Sequence, residues 1–150
     1  VTHSDEGEEL CEGMASALVG TQVMDMYTAD RPRSWVAVHL GHGRSLVPTH
    51  VTLRHGFGTP AMMLRKFHFQ ASHDGLTWAT LREFKGVDGG VMAYAENFER
   101  LTVTFAVSTN RPYSHFRLIQ SGENVSGNHR LCVGGMELYG TLVLAGQAGG

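Results

Sequence analysis

Cysteine is scarce in this chain of 150 residues, which holds only Cys11 and Cys132. Two cysteines are too few to predict a disulfide-stabilised scaffold, and Cys132 falls in a strand pattern that favours a buried thiol. A bridge between the two stays open at this stage. No apolar run approaches the length of about 20 residues that a membrane-spanning helix needs, so no transmembrane segment is expected.

The chain also lacks an excess of charge of one sign. The formal net charge is −2, so no strong field recruits nucleic acid or an anionic membrane. Residues 1–12 are polar and acidic, which excludes a signal peptide, and they lack an initiator methionine. We therefore expect one piece of a longer multidomain protein: a flexible acidic segment over 1–12, one domain over 13–143 and a flexible tail over 144–150.

The clearest secondary-structure pattern lies in residues 67–81. Apolar and polar residues alternate over 67–72, which predicts a strand with one dry face. Asp74-Gly75 follows, a dipeptide typical of tight two-residue hairpin turns, and β-forming residues resume at 77–81. The stretch predicts a β-hairpin. Five aromatic residues across the chain are assigned to the core: Trp35, Phe69, Trp78, Phe116 and Tyr139.

Further strand patterns are separated by turn residues along the chain. They cover 35–41, 50–55 with Pro48 at the start, 100–107, 114–120, and 130–139 with a bulge at Gly134-Gly135. This spacing of short strands predicts an all-β sandwich.

Antiparallel succession of these strands places the connections alternately at two ends of the domain. The long polar loops fall at one end, which we call the loop end: residues 28–34, 56–64, 85–99 and 122–129. The Asp74-Gly75 turn falls at the opposite end. Since binding sites are usually carried on loops held by a rigid scaffold, the loop end is the predicted site.

Candidate ligand-binding residues cluster in these loops. Arginine and histidine supply charge-assisted donors, asparagine supplies a paired donor and acceptor, and phenylalanine supplies an apolar platform. The mixture suits a sugar or an acidic peptide; the alternative is that these residues only cap loops and face solvent. They are Arg31, Arg33, Arg54, His55, Phe57, Asn124, Asn128, His129 and Arg130.

Enzyme and metal motifs are not found. The nine histidines include no set with metal-ligand spacing. Ser114 and His115 are neighbours on a strand and point to opposite faces, so they predict no catalytic triad. The sequence predicts neither an enzyme nor a metal site.

The order of several segments resembles the galactose-binding-like superfamily, the discoidin or coagulation-factor type C domains. The matching pieces are residues 34–41, 67–78, 115–119 and 136–140. The resemblance spans about residues 15–142 and implies a jelly-roll β-sandwich of about eight mostly antiparallel strands.

Residues 48–56 and 120–129 are more similar to the intracellular branch found inside very large proteins, including HECT-type ubiquitin ligases and BTB-containing proteins. This resemblance implies a non-enzymatic module of a larger cytoplasmic protein, which binds a protein or peptide segment at the loop end. The alternative is a carbohydrate-binding module for a galactoside-type glycan. Cys132 departs from the cysteine positions of extracellular relatives. Sugar sites usually expose Trp or Tyr, and the loops offer only Tyr27, Phe57 and Tyr94.

The resemblance also suggests a structural calcium site, which sugar-binding relatives often form with an early aspartate and a glutamate of the last strand. Glu137 matches that glutamate. The early loop is missing, with Asp25 and Asp30 as loose candidates, and calcium needs six or more oxygens. No cofactor is therefore predicted.

Overall fold

The computed structural model describes residues 2–3, 27–56, 62–86 and 102–145, and the regular elements within these ranges are all β-strands. They are β1 (Thr2–His3), β2 (Trp35–His39), β3 (Arg44–His55), β4 (Lys66–Ser72), β5 (Ala79–Lys85), β6 (Thr102–Ala106), β7 (His115–Gln120) and β8 (Val133–Leu144). A five-stranded sheet in the order β1-β2-β7-β4-β5 faces a three-stranded sheet in the order β6-β3-β8. Every strand pairing is antiparallel, so the predicted all-β sandwich is confirmed.

Aromatic side chains from both sheets fill the space between them. Phe67 and Phe69 of β4 are fully buried, as the alternation predicted. Phe105 of β6 meets Phe69 edge-on from the other sheet, with 5.8 Å between ring centroids. Phe116 stacks on Phe69 at 6.0 Å. Burial of each such side chain is worth about 1.5–3 kcal/mol, so this cluster joins the two layers.

Three of the five predicted core aromatics lie elsewhere. Trp35 and Trp78 are only partly buried and line a groove on the outer face of the five-stranded sheet. Tyr139 is 48% exposed, on the outer face of β8. Their assignment to the core was wrong because it relied on the size of the side chain and not on the strand face to which it points. Trp35 shares a face of β2 with His39, and the inward-facing residue of β2 is Val36.

The predicted hairpin joins β4 to β5, although the connection is six residues long and not a two-residue turn. Residues 73–78 fold around two side chains. The Ser72 hydroxyl accepts hydrogen bonds from the backbone N–H groups of Asp74 (3.2 Å) and Gly75 (2.9 Å). Asp74 Oδ1 accepts from Leu76 N (2.8 Å) and Thr77 N (2.9 Å). Gly75 has a positive φ of 75°, whereas the φ of Asp74 is not positive. The two-residue primed turn, which needs positive φ at both residues, therefore does not form.

Strands β3 and β8 are longer than predicted and pair from Arg44↔Leu144 to His55↔Val133. Pro48 lies inside β3 and not at its start. It is tolerated because the register shifts between Pro48 and His50. The predicted bulge at Gly134 is confirmed by a second shift, between Arg54 and His55.

Part of the predicted flexible segment 1–12 is the edge strand β1, which pairs Thr2 with Ala37. The rest of that segment, including Cys11, lies outside the described residues, so the domain boundaries and the Cys11–Cys132 bridge stay predictions. Cys132 itself is fully buried. No helix in the described ranges is long and apolar enough to cross a membrane.

Candidate functional site

Backbone segments far apart in sequence meet at the loop end. Thr28 N donates to the Leu131 carbonyl (3.1 Å), and Leu131 N donates to Thr28 Oγ1 (2.9 Å). Met62 N donates to Ser126 Oγ (2.8 Å), and Val125 N donates to the carbonyl of Met63 (3.1 Å). The described parts of three predicted loops therefore form one surface. Residues 57–61 and 87–101 lie outside the described ranges.

Asn124 organises the loop between β7 and β8 from inside. It is 1% exposed, and its Nδ2 donates to Asn128 Oδ1 (2.8 Å) and to the Arg130 carbonyl (3.0 Å). Its Oδ1 accepts from Ser126 N (2.9 Å) and Asn128 N (3.3 Å). With its side chain buried and its amide fully hydrogen-bonded, Asn124 holds the loop in its conformation.

Two further contacts fix the arginine-bearing loop against this one. Asp30 Oδ1 accepts a hydrogen bond from His129 N (2.7 Å). Arg130 Nη1 donates to the Thr28 carbonyl (3.2 Å), and its guanidinium lies 5.2 Å from the Tyr27 ring centroid. Arg130 thereby contacts the neighbouring loop, and Arg31 in that loop is exposed.

Backbone strain is concentrated at the same end. Arg33 (φ 61°) and Met62 (φ 60°) are the only non-glycine residues with positive φ in the described part of the chain. The left-handed region is unfavourable for side chains of this size, and such strain is enriched at ligand-binding loops. Arg33 and Val125 are both exposed, Val125 by 45%.

The remaining predicted residues lie away from this surface or within the fold. His55 is 2% exposed and belongs to the interior. Arg54 lies on the outer face of the three-stranded sheet opposite Gly135, and its Nη1 is buried without a hydrogen bond to any described residue. Glu137 accepts a hydrogen bond from the Tyr139 hydroxyl on the same face. Phe57 lies outside the described residues.

A second concave region was missed by the sequence reasoning. It is a groove of about 380 Å³ on the outer face of the five-stranded sheet, which we call the outer-face groove. It is lined by Trp35, Ala37, Val38, His39, Asp74, Gly75, Trp78, His115 and Arg117. The parity of β2 and β7 was the available signal, because Trp35 and His39 share a strand face, as do His115 and Arg117.

Aromatic and cationic groups stack along this groove. The Arg117 guanidinium lies 4.2 Å from the centroid of the Trp78 ring, and its Nε donates to Gln70 Oε1 (2.7 Å). The imidazoles of His39 and His115 stack at 4.1 Å with 2° between their planes. Burial, and next the adjacent His39, lower the pKa of His115, while the Ser72 backbone and Asp74 act in the opposite direction.

Asp74 supplies the fixed negative charge at the rim of the groove. Hydrogen bonds from Thr77 N, Leu76 N and the Ser72 hydroxyl lower its pKa from 3.8 to about 2. No group of three or more His, Cys, Asp or Glu side chains in the described residues is arranged to hold a metal ion. The groove therefore offers donors and ring walls and no metal centre.

The two-sheet architecture matches that of solved carbohydrate-binding and lectin domains, so the jelly-roll fold implied by the resemblance is confirmed. The family 32 carbohydrate-binding module of Streptococcus pneumoniae EndoD matches with a TM-score of 0.63 at 14% identity, covering 94% of each chain. The lectin domain of lectinolysin, solved with Lewis B antigen, matches with a TM-score of 0.66 at 14% identity, covering 93% of this chain and 91% of that one. At these identities the likeness concerns the fold.

Sequence relatives come from the protein classes that the resemblance named. The E3 ubiquitin-protein ligase Ufd4 of Drosophila melanogaster is 32% identical over 143 residues, which is 93% of this chain and 5% of the ligase. A BTB/POZ domain-containing protein of Arabidopsis thaliana is 34% identical over 109 residues, which is 71% of this chain and 13% of that protein. The chain thus spans a small fraction of the curated relatives that it matches. No family model matches it.

Proposed function

We propose that this chain is a non-enzymatic interaction module of a larger intracellular protein of the ubiquitin-ligase type, and that it binds a protein segment through the loop end. The observation that carries the proposal is the cross-linking of loops 27–34, 62–65 and 121–132 into one hydrogen-bonded surface. Such a surface loses little conformational entropy on binding, because its backbone is already fixed.

The chemistry of this surface favours a protein ligand over a simple sugar. Its exposed groups include the cationic Arg31 and Arg33 and the apolar Val125. Tyr27, the one Tyr or Trp in these loop segments, has its ring beside Arg130. One face of the Tyr27 ring is thus next to a cation, whereas a mixed basic and apolar patch complements an acidic segment with an apolar side chain. The sequence relatives are segments of an E3 ubiquitin-protein ligase and of a BTB protein, which supports the same interpretation.

A displayed random-peptide library, selected on the chain, tests the proposal. The double variant Arg31→Gln/Val125→Ser removes one cation and one apolar group from the loop end. Its matched control, Arg111→Gln/Leu76→Ser, makes the same two changes at the opposite end, where both residues are exposed. Selected peptides should bind wild type and control alike and should lose at least about tenfold in affinity on the loop-end variant, since contacts of this kind contribute about 1.4 kcal/mol or more.

A glycan array with the same variants distinguishes this proposal from the rival, a carbohydrate-binding module. Binding of simple galactosides that is lost in Arg31→Gln/Val125→Ser and kept in the control would refute the protein-binding proposal in favour of a carbohydrate-binding module. Absence of any ligand in both assays would also overturn it and would leave a structural spacer as the role of the chain.

A further inference from the structure

The outer-face groove carries a separate inference, which starts from Arg117. Its Nε is used by Gln70, but its two terminal nitrogens donate to no residue in the described ranges. One face of the guanidinium is held by the Trp78 ring at 4.2 Å. Arg117 is thus fixed in orientation, with its paired terminal N–H groups unused, which is the arrangement that binds a planar carboxylate through two parallel hydrogen bonds.

The same contact argues against a neutral sugar. A sugar ring needs an open aromatic face, and the Trp78 face toward Arg117 is already covered. The stacked His39 and His115 likewise cover one face of each other. The Asp74 carboxylate at the rim already accepts hydrogen bonds from Ser72, Leu76 and Thr77, whereas the terminal N–H groups of Arg117 are unused and complement a negative charge.

The protonation of His115 follows from Ser114. The Ser114 hydroxyl donates its one proton to the His73 carbonyl (2.9 Å), so toward His115 Nδ1 (3.0 Å) it acts as an acceptor. This contact favours the tautomer of neutral His115 that carries its proton on Nδ1. Its Nε2 is the unprotonated acceptor and lies beside Gly75, where an added Cβ would be 3.1 Å away. A carboxylate near this nitrogen is repelled until Nε2 takes up a proton.

We propose that the outer-face groove binds the carboxylate of a peptide, with Arg117 as its principal donor, and that binding is coupled to proton uptake by His115. The charged groups around the histidine pair are Asp74 from the 73–78 loop and Arg117 on β7, and the charge of Arg33 acts on Arg117. Strand β4 contributes the neutral Gln70 and Ser72. Asp74 stays ionised and stabilises the protonated imidazole. Trp35 and Trp78 form the walls for the apolar part of the ligand.

The pH dependence follows from these groups. His115 is neutral near pH 7, because burial and His39 lower its pKa below 6.5. The carboxylate ligand remains ionised down to about pH 4. Binding should therefore strengthen by about tenfold between pH 7.5 and pH 5.5, as one added proton becomes available per ligand bound.

The test is an NMR titration with two probes that differ only in the carboxylate, N-acetyl-L-phenylalanine and its amide, at pH 7.5 and 5.5. The acid should shift the Trp78 indole and His115 ring resonances saturably, and the amide should not. N-acetyl-glutamic acid α-amide, with its acid in the side chain, distinguishes a side-chain carboxylate from a chain terminus as the natural source. Equal binding of acid and amide would refute the proposal, as would shifts of the same resonances by lactose alone.

Variants separate the two roles. Arg117→Gln should lose at least about tenfold in affinity at both pH values. His115→Gln, which removes the titrating group and leaves Arg117, should show a clearly smaller change in affinity for the acid between pH 7.5 and 5.5 than wild type, because only the His39 imidazole remains in the groove. His68→Gln is the control, because His68 lies on the outer side of the same sheet, 29% exposed, and outside the groove. Unchanged pH dependence in His115→Gln would overturn the proton coupling. Arg31→Gln, the loop-end change, should leave this titration as in wild type.

Discussion

Buried polar residues in this domain mostly fix loops. Asn124 begins an Asn-Val-Ser triplet that matches a glycosylation sequon, yet its amide is enclosed and fully hydrogen-bonded. In the folded domain that nitrogen is not accessible to modification. The sequence placed Asn124 in the right loop but could not reveal that the side chain points inward, because the polar partners that satisfy it are mainly backbone groups.

Substitution of Asn124 by alanine should destabilise the domain by about 3 kcal/mol, since it leaves several buried backbone groups without partners. Chemical unfolding in urea measures the loss. Glu123→Ala, at the exposed neighbouring position, is the control and should remain within about 0.5 kcal/mol of wild type. Equal stability of the two variants would show that the loop does not depend on the Asn124 amide.

Asp74 makes stability depend on acid pH. Its pKa is lowered from 3.8 to about 2 in the folded chain by backbone donors at Thr77 and Leu76 and by Ser72. A carboxyl with a lowered folded pKa contributes stability above its unfolded pKa, and this contribution is lost as pH falls from about 4 to about 2. Asp74→Asn should flatten the fall in stability over that window.

Urea unfolding at a series of pH values from 5 to 2 measures this slope. Glu123→Gln, a matched loss of one exposed carboxylate in another loop, should keep the wild-type slope. A wild-type slope in Asp74→Asn would mean that the 73–78 loop does not depend on the ionised carboxylate.

At the level of elements, Gly140 of β8 lies against the backbone of β3 with no room for a side chain. A Cβ there would overlap the Val47 carbonyl oxygen and lie 2.9 Å from Pro48 Cα, so the strands would have to separate. Gly135 in the same strand has room, with its nearest neighbour, Arg54 Cβ, at 3.5 Å. The neighbouring strand therefore excludes a side chain at Gly140, whereas Gly135 has space for a Cβ.

Gly140→Ala should cost at least about 2 kcal/mol in unfolding free energy because a backbone contact cannot relax locally. Gly135→Ala should cost clearly less, and thermal unfolding of the pair compares them directly. Equal losses would indicate that the effect comes from β8 flexibility in general and not from the close approach at Pro48.

On the scale of the whole molecule, period-two patterning predicted most strands and the end at which the loops gather. It failed where the outer face of a sheet carries large aromatics, since Trp35 and Trp78 look like core residues by size alone. The outer-face groove forms because β2, β7 and the 73–78 loop lie side by side. Their adjacency follows from the strand order β2-β7-β4, which no local sequence pattern predicts. For the same reason, the burial of His55 could not be read from its place at the end of β3.

The position of β8 has a consequence for synthesis. Its residues 133–144 complete the three-stranded sheet by pairing with β3, about ninety positions earlier in the chain. While a ribosome is still making the segment between β6 and β8, β3 has one edge open and the sandwich lacks a third of its smaller layer. The domain can therefore close only after β8 has left the exit tunnel, so within a long polypeptide its folding is delayed until translation has passed well beyond it.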